Sequence, residues 1–168
     1  MKLCFDTFAS PLGDMTVAAM ESGAICLLDF HDCRDRSEAL LKRRFESFDR
    51  VERENPQDIR GRLANYFTDG TARTAFDGLR LDTDGTPFQN AVWKVLGEIP
   101  YGETISYSEL ARRVSSPRAV RAVGSANGQN PISIVIPCHR VIAKNGTLAG
   151  YAGGTVRKQK LLALEGAL

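Results

Sequence analysis

Residues 106–126 read SYSELARRVSSPRAVRAVGSA, and their pattern predicts the architecture of the second half of the chain. Ser106, with a glutamate three residues after it, has the pattern of a capping box, and apolar spacing continues the helix to Val114. Ser115-Ser116-Pro117 interrupts that pattern, and Arg118 to Ala126 resumes it. Two short helices on either side of a tight polar break predict a helix-turn-helix.

The second of these helices carries two arginines among small side chains. We expect it to bury Val120 and Val123 and to leave Arg118 and Arg121 exposed. Small side chains let a helix approach a narrow groove, where the negative potential favours arginine. A tightly packed interior helix would explain the alanines but not the two arginines. The pattern therefore favours DNA binding.

Length and composition indicate an ordinary globular protein. The chain has 168 residues, of which 43% are hydrophobic and 25% charged. Its longest apolar stretches, such as Ala24 to Leu28, fall far short of the roughly 20 residues that a membrane helix needs, and we see no basic-then-apolar leader. Four cysteines without a CxxC pair predict reduced thiols rather than a disulfide framework. We expect a cytoplasmic protein with no membrane partner.

The two halves of the chain carry opposite charges, which the overall charge of +2 conceals. Residues 1–83 hold 12 Lys and Arg against 15 Asp and Glu, whereas residues 84–168 hold 10 against 5. A basic half beside an acidic one suggests a polyanionic partner for the second half. An ordinary solvated surface would explain a surplus this small equally well.

Residues 1–83 predict a small α/β domain. Leu3 to Phe8, Met15 to Met20 and Ala24 to Phe30 predict three strands that tight turns join into an antiparallel meander. Apolar spacing predicts helices over Ser37 to Phe45 and Gln57 to Phe67.

Periodicity fails between Phe76 and Pro87, which predicts a linker and places the domain boundary near Asp84. Residues 84–168 predict a mostly helical second domain, with helices over Thr86 to Gly97 and Val156 to Leu164 in addition to the helix pair.

One cysteine has sequence neighbours that would favour its action as a nucleophile. After the β-rich apolar run Ile132 to Ile136 comes the sequence Pro137-Cys138-His139-Arg140-Val141. Cationic neighbours favour the thiolate, which is the nucleophilic form of cysteine. Adjacent residues of extended backbone point to opposite sides, so we expect a water to connect Cys138 with His139 unless the chain turns there. The alternative is a buried, inert cysteine beside a surface histidine.

A carboxylate follows the last predicted helix, where the negative end of the helix dipole disfavours it. This residue, Glu165, either orients His139 in a Cys, His, Glu chain or is a solvated residue near the tail. The sequence leaves both alternatives open.

Taken together, these motifs resemble the O6-alkylguanine-DNA alkyltransferases. The matching segments, in chain order, are Ser106-Tyr107, Arg121-Ala122-Val123-Gly124, Asn130-Pro131, Ile136 to Val141, Gly150-Tyr151-Ala152-Gly153-Gly154 and Leu161 to Gly166. Ser10-Pro11-Leu12-Gly13 extends a weaker match to the first half. The resemblance implies an α+β fold, with a ribonuclease H-like N-terminal domain built on an antiparallel sheet and a winged helix-turn-helix-like C-terminal domain.

The resemblance also implies an activity. The protein would repair double-stranded DNA by moving a methyl or alkyl group from O6-methylguanine, or O4-methylthymine, to a cysteine. Each molecule would act once, as a monomer bound in the minor groove, without a cofactor. The target base must leave the duplex to be reached, and a damaged pair lowers that cost.

The resemblance assigns roles to individual residues. Cys138 would accept the methyl group, His139 would act through water as the base and Glu165 would orient it, while Tyr107 would donate a hydrogen bond to the flipped base. Arg121 would fill the space that the base leaves. The remaining residues implied are Asn130, which braces the segment before the cysteine, Val141, Tyr151, Ala152 and Lys158 around the base, and Arg118, Ala119, Ala122 and Gly124 against DNA.

Two departures from the family pattern matter. Human-type relatives have Met-Arg where this chain has Asn127-Gly128. The resemblance therefore does not fix the width of the pocket in this protein. Those relatives also bind a structural zinc, but Cys4, Cys26, His31 and Cys33 do not reproduce its ligand pattern. We expect no metal.

Three other functions compete with this interpretation. A Cys-His hydrolase would need an oxyanion hole and would give the helix pair no role. A sequence-specific regulator would need more base-reading side chains than Arg121 among alanines offers. A fragment of an adaptive-response protein would also control transcription, and the start at Met1 argues against it.

Overall fold

The structure is a computed structural model that describes residues 1–68, 72–148 and 150–168. The chain divides into two compact units, Met1–Thr83 and Asp84–Leu168. The first unit combines a sheet with two α-helices and the second is mostly helical, which gives the expected α+β class. Within the three described stretches, no helix has the length and apolar character needed to cross a membrane.

The first unit is built on a four-stranded sheet. Strands β1 (Lys2–Phe8), β2 (Met15–Met20) and β3 (Ile25–Phe30) form the expected antiparallel meander. A fourth strand, β4 (Asp49–Glu52), pairs in parallel with β1, so the sheet is mixed rather than wholly antiparallel. All four residues of β4 are exposed. Its sequence, DRVE, has no alternation of apolar and polar residues from which a strand could be predicted.

Two helices belong to this unit. Helix α1 (Arg34–Arg44) begins three residues before the predicted start because a 3₁₀ turn over His31–Cys33 leads straight into it. Helix α2 (Ile59–Phe67) begins two residues late because Gln57 and Asp58 have positive φ angles of 53° and 56°. A core cluster contains Leu3, Phe5, Ala18, Cys26, Leu27 and Leu41.

Part of the predicted linker belongs to the first unit instead. Leu81 forms a parallel bridge with Ile25, and the Asp82 N–H donates to the Ile25 carbonyl at 2.8 Å. The Arg44 guanidinium also binds the Asp82 carboxylate. Part of the segment predicted as a linker is therefore paired with the first unit, because polar composition conceals backbone pairing along a sheet edge.

The second unit contains four helices within the described residues: α3 (Pro87–Gly97), α4 (Tyr107–Arg113), α5 (Val120–Gly128) and α6 (Thr155–Leu164). Two short strands, β5 (Ile105–Ser106) and β6 (Val141–Ile142), pair in parallel. The Trp93 indole N–H of α3 donates to the Ala126 carbonyl of α5 at 2.9 Å and ties the two helices together.

The capping box predicted for α4 forms only in half. The Ser106 hydroxyl accepts from the Glu109 N–H at 3.0 Å, as an N-cap should. The Glu109 carboxylate, however, binds Arg112 and Arg113 at 2.7 and 2.8 Å. Two guanidinium donors one helical turn away compete for the carboxylate with the single N–H of the cap.

Helix α5 begins at Val120, two residues later than predicted. Ser115 has a φ of 57°, and the Ala119 N–H donates to the Ser116 carbonyl at 2.8 Å, so a turn occupies this position. Arg118 and Ala119 therefore lie before the helix rather than on it. Val123 is buried as predicted, whereas Val120 is only half-buried.

Candidate active site

The segment before Cys138 is a coiled loop, and the extended run predicted over Ile132 to Ile136 is wrong. The Asn130 amide explains the difference. Its Oδ1 accepts from the Ile132 N–H at 2.9 Å, and its Nδ2 donates to the Ile136 carbonyl at 2.7 Å. One side chain thereby satisfies backbone groups that a strand would pair with a neighbour.

The loop closes on itself at a strained residue. The Ile136 N–H donates to the Ile132 carbonyl at 3.0 Å, and Ile134 has a φ of 71°. A β-branched residue in this conformation costs on the order of 1–3 kcal/mol. Ile134 is 1% exposed, so its burial offsets that cost.

Cys138 lies at the start of a 3₁₀ turn over Cys138–Arg140 and is buried. The Asn130 Nδ2 lies 3.1 Å from its Sγ, and the Asn127 Nδ2 donates to its carbonyl at 3.4 Å. An amide donor directed at sulfur favours the thiolate.

His139 is fully buried beside this cysteine. Its Nε2 lies 2.8 Å from Oε1 of Glu165, whereas its Nδ1 has no hydrogen-bond partner in the part of the chain that the structure describes. Burial lowers the pKa of His139 despite the hydrogen bond to Glu165, so the ring is neutral at pH 7. An unprotonated Nδ1 of such a ring can accept a proton.

Glu165 caps the C-terminal end of α6 with a buried side chain, so the solvated-tail alternative is wrong. The guanidinium of Arg140 binds both carboxylate oxygens, with Nε to Oε2 at 2.8 Å and Nη2 to Oε1 at 2.9 Å. Burial alone would raise the pKa of Glu165, but hydrogen bonds from His139 and Arg140 outweigh it and lower the pKa to about 2. The carboxylate is therefore ionised.

Two further polar side chains lie near Cys138. The Tyr107 hydroxyl donates to the Gly150 carbonyl at 3.2 Å, and the Lys158 ammonium donates to the Val141 carbonyl at 2.6 Å. Burial lowers the pKa of Lys158 to about 8, although the charge of Cys138 acts in the opposite direction. Burial and then the Cys138 charge raise the pKa of Tyr107, so its hydroxyl remains a donor at neutral pH.

The other predicted site residues form two groups. The Tyr151 ring lies edge-on to His139, with centroids 6.5 Å apart, and Ala152 follows it half-buried. The residues predicted to contact DNA lie just before α5 and in its first half: Arg118, Arg121 and Ala122 are exposed, and Ala119 and Gly124 are half-buried. A Cβ on Gly124 would lie 3.9 Å from the Tyr107 ring, so this helix packs closely against that tyrosine.

Sequence reasoning gave no role to two residues that the structure places in the site. In the sequence pattern Arg140 is only a cationic neighbour of Cys138, and Asn127 is only a departure from human-type relatives. A charged residue directly after a histidine in an otherwise apolar segment was the available signal for Arg140. Across residues 1–68, 72–148 and 150–168, no group of three or more His, Cys, Asp or Glu is placed to hold a metal ion.

Comparison with known proteins gives a consistent result over the whole chain. Residues 3–83 match the ribonuclease-like domain, and residues 87–167 the DNA binding domain, of 6-O-methylguanine DNA methyltransferase. The methylated-DNA–protein-cysteine methyltransferase of Salmonella typhimurium is 46% identical over 170 residues, covering 100% of this chain and 98% of the relative. Its Methanosarcina barkeri counterpart is 41% identical over 165 residues, covering 96% of each protein.

A solved structure agrees with these sequence matches. The crystal structure of Mycobacterium tuberculosis OGT in complex with DNA is similar to this chain with a TM-score of 0.78 and 37% identity. The similarity covers 98% of this chain and 93% of that one.

Proposed function

Since this chain belongs to the 6-O-methylguanine DNA methyltransferase family, we propose that Cys138 is the cysteine that accepts the alkyl group. The protein is a methylated-DNA–protein-cysteine methyltransferase, which binds DNA and repairs it by alkyl transfer to cysteine. The observation that carries the assignment is the amide of Asn130 at 3.1 Å from the Cys138 sulfur, beside the buried His139–Glu165 pair. Burial raises the pKa of the Cys26 thiol to about 11, which makes that cysteine a poor nucleophile.

The chemistry follows from these contacts. The Cys138 thiol gives its proton through a water to Nδ1 of His139, while the ionised Glu165 accepts from Nε2. The sulfur then attacks the methyl carbon, so that an S–C bond forms as the C–O6 bond breaks and its electron pair leaves with guanine. A hydrogen bond from Tyr107 stabilises the leaving anion, which finally takes up the proton that the thiol gave away.

The reaction consumes the protein. A thioether is not hydrolysed by water, and the cysteine nearest to Cys138 in sequence is Cys33. Each molecule therefore acts once. The same displacement applies to O6-methylguanine and to O4-methylthymine, since both carry the methyl group on an exocyclic oxygen, and it requires no cofactor.

DNA contact is assigned to the start of α5. Arg121 enters the duplex from the minor groove and fills the space of the flipped base, while Arg118 contacts phosphate; both are exposed and next to small residues. Ala119, Ala122 and Gly124 permit the close approach. The protein acts as a monomer in the cytoplasm on double-stranded DNA that carries alkylated bases.

Intact-protein mass spectrometry tests the assignment directly. After incubation with an excess of O6-methylguanine duplex, we expect every chain to gain the mass of one CH₂ group, and peptide mapping to place it on Cys138. The amount of base repaired should equal the amount of protein. Repair of many lesions per chain, or a methyl group on another cysteine, would exclude the proposal.

Changing Arg121 to alanine separates base flipping from chemistry. Because extrusion of a base costs a few kcal/mol, we expect the transfer rate from a fully paired duplex to fall about 10- to 100-fold, with less effect on single-stranded substrate. Single-turnover rates on the two substrates measure this. Arg43→Ala removes an exposed positive charge from the first unit and serves as the matched control. Equal losses on both substrates would show that Arg121 does not act by filling the space of the flipped base.

A further inference from the structure

Arg140 connects three parts of the second unit. Its guanidinium binds both oxygens of Glu165, and its Nη1 donates to the Ile99 carbonyl at 2.6 Å. Oε1 of Glu165 accepts from Arg140 and also lies 2.8 Å from Nε2 of His139. The Arg140 side chain is only 11% exposed, so water screens the pair little.

The position of Glu165 makes this contact consequential. It caps the C-terminal end of α6, where the helix dipole disfavours negative charge, and its side chain is fully buried. A buried carboxylate in such a position takes up a proton unless a fixed cation faces it. Lys158 also acts electrostatically on His139 and on Cys138, and its ammonium donates to the Val141 carbonyl.

The proton on Glu165 decides which nitrogen of His139 can act. An ionised Glu165 only accepts, so the neutral ring must carry its proton on Nε2 and leave Nδ1 as an acceptor. A protonated Glu165 can donate to Nε2, which moves the ring proton to Nδ1. That nitrogen could then no longer accept the thiol proton.

We propose that Arg140 is a positioning residue for alkyl transfer: its two-point contact keeps Glu165 ionised and thereby fixes the His139 proton on Nε2. The tautomer assignment stands on the contacts alone, whereas its effect on rate rests on the function proposed above. Arg140 touches neither substrate nor sulfur in this role and acts through Glu165 and His139.

Nitrogen NMR on the unmutated site tests the tautomer without reference to activity. The chain has two histidines, and a His31→Gln background leaves the His139 signals alone in the spectrum. We expect ¹⁵N shifts and couplings at pH 7 that place the proton on Nε2. A proton on Nδ1, or a doubly protonated ring, would overturn the proposal whether or not the protein transfers alkyl groups.

Variants of Arg140 test the link to the reaction. With Arg140→Gln we expect the single-turnover rate to fall on the acidic side of the pH–rate profile, where Glu165 of the variant holds a proton and Nδ1 of His139 can no longer act as the general base. The rate should recover as the pH rises and Glu165 ionises, which shifts the acidic limb of the pH–rate profile upward by about 1 to 3 units. Arg140→Lys keeps the charge but loses the two-point contact. The acidic limb of its pH–rate profile should therefore lie between those of the wild-type protein and Arg140→Gln.

The two measurements separate structural from positioning effects. A purely structural role would lower the rate by the same factor at every pH and leave the limb unmoved, which would overturn the proposal. If Arg140→Gln does not fold, the pH–rate profile of Arg140→Lys and the NMR measurement of the His139 tautomer still test the proposal. If the wild-type protein itself fails to alkylate Cys138, the proposed function fails, while the NMR result continues to test the tautomer.

Discussion

Replacing Cys138 with serine will abolish alkyl transfer and leave DNA affinity unchanged. A serine hydroxyl remains protonated at neutral pH and is a far weaker nucleophile than a thiolate, so we expect the transfer rate to fall by at least about 10⁴-fold. The exposed DNA-contact residues of α5 are untouched by the change. Transfer from a methylated duplex gives the rate, and fluorescence anisotropy gives the Kd for the same duplex.

The matched control is Cys33→Ser, which removes a partly exposed thiol from the first unit. We expect that variant to transfer at the wild-type rate. A Cys138→Ser protein that still removes methyl groups normally would show that another residue is the acceptor. A variant that lost DNA binding together with transfer would show that Cys138 also shapes the DNA-binding surface.

Changing Glu165 to glutamine will produce the largest loss of stability that we expect from a site residue. The neutral amide leaves the buried Arg140 guanidinium without its carboxylate, and removal of one partner of a buried pair costs about 3–5 kcal/mol. The amide, unlike the carboxylate, is not an obligate acceptor for His139. The transfer rate of the folded Glu165→Gln molecules should therefore also fall. Urea denaturation at pH 7 gives the free energy of unfolding.

The difference in unfolding free energy between the wild-type protein and Glu165→Gln should depend on pH with a definite sign. The pKa of Glu165 is about 2 in the folded chain against an ordinary value of 4.5, so its contribution is complete above about pH 4.5. It disappears as the pH falls from about 4.5 to 2. The gap between wild type and Glu165→Gln should therefore narrow over that interval, and a gap independent of pH would contradict the assigned ionisation.

Glu109→Gln is the control for this comparison. Glu109 also binds two arginines, but on an exposed helix face where solvent screens the contacts. We expect a far smaller change in stability from it than from Glu165→Gln. Similar losses in the two variants would mean that burial does not distinguish the two glutamates.

Local patterns in the sequence predicted most of the regular structure. Strand-like segments joined by tight turns predicted the three-stranded meander, and apolar spacing with cap residues predicted the helices of both units to within a few residues. Helix α3 illustrates why caps are informative: Thr86 and Gln89 form the complete reciprocal box at its start. Such signals are contained within a few neighbouring residues.

The predictions failed where side-chain hydrogen bonds or contacts between separate segments, rather than apolar spacing, decide the conformation. Ile132 to Ile136 has the composition of a strand, yet the Asn130 amide takes over its backbone hydrogen bonds. Strand β4 has no apolar signal and forms because the edge of β1 is open to it. Glu165 and Arg140 are 25 residues apart, so their two-point contact is invisible to any local pattern.

The assembly of the loop around Asn130 has a practical consequence for protein engineering. Grafting only Pro137-Cys138-His139-Arg140-Val141 onto another scaffold would transplant a thiol without the amide at 3.1 Å or the carboxylate opposite the imidazole. A minimal transferable module must include residues 130–141 together with an anchored equivalent of Glu165. Anything shorter would carry an ordinary cysteine.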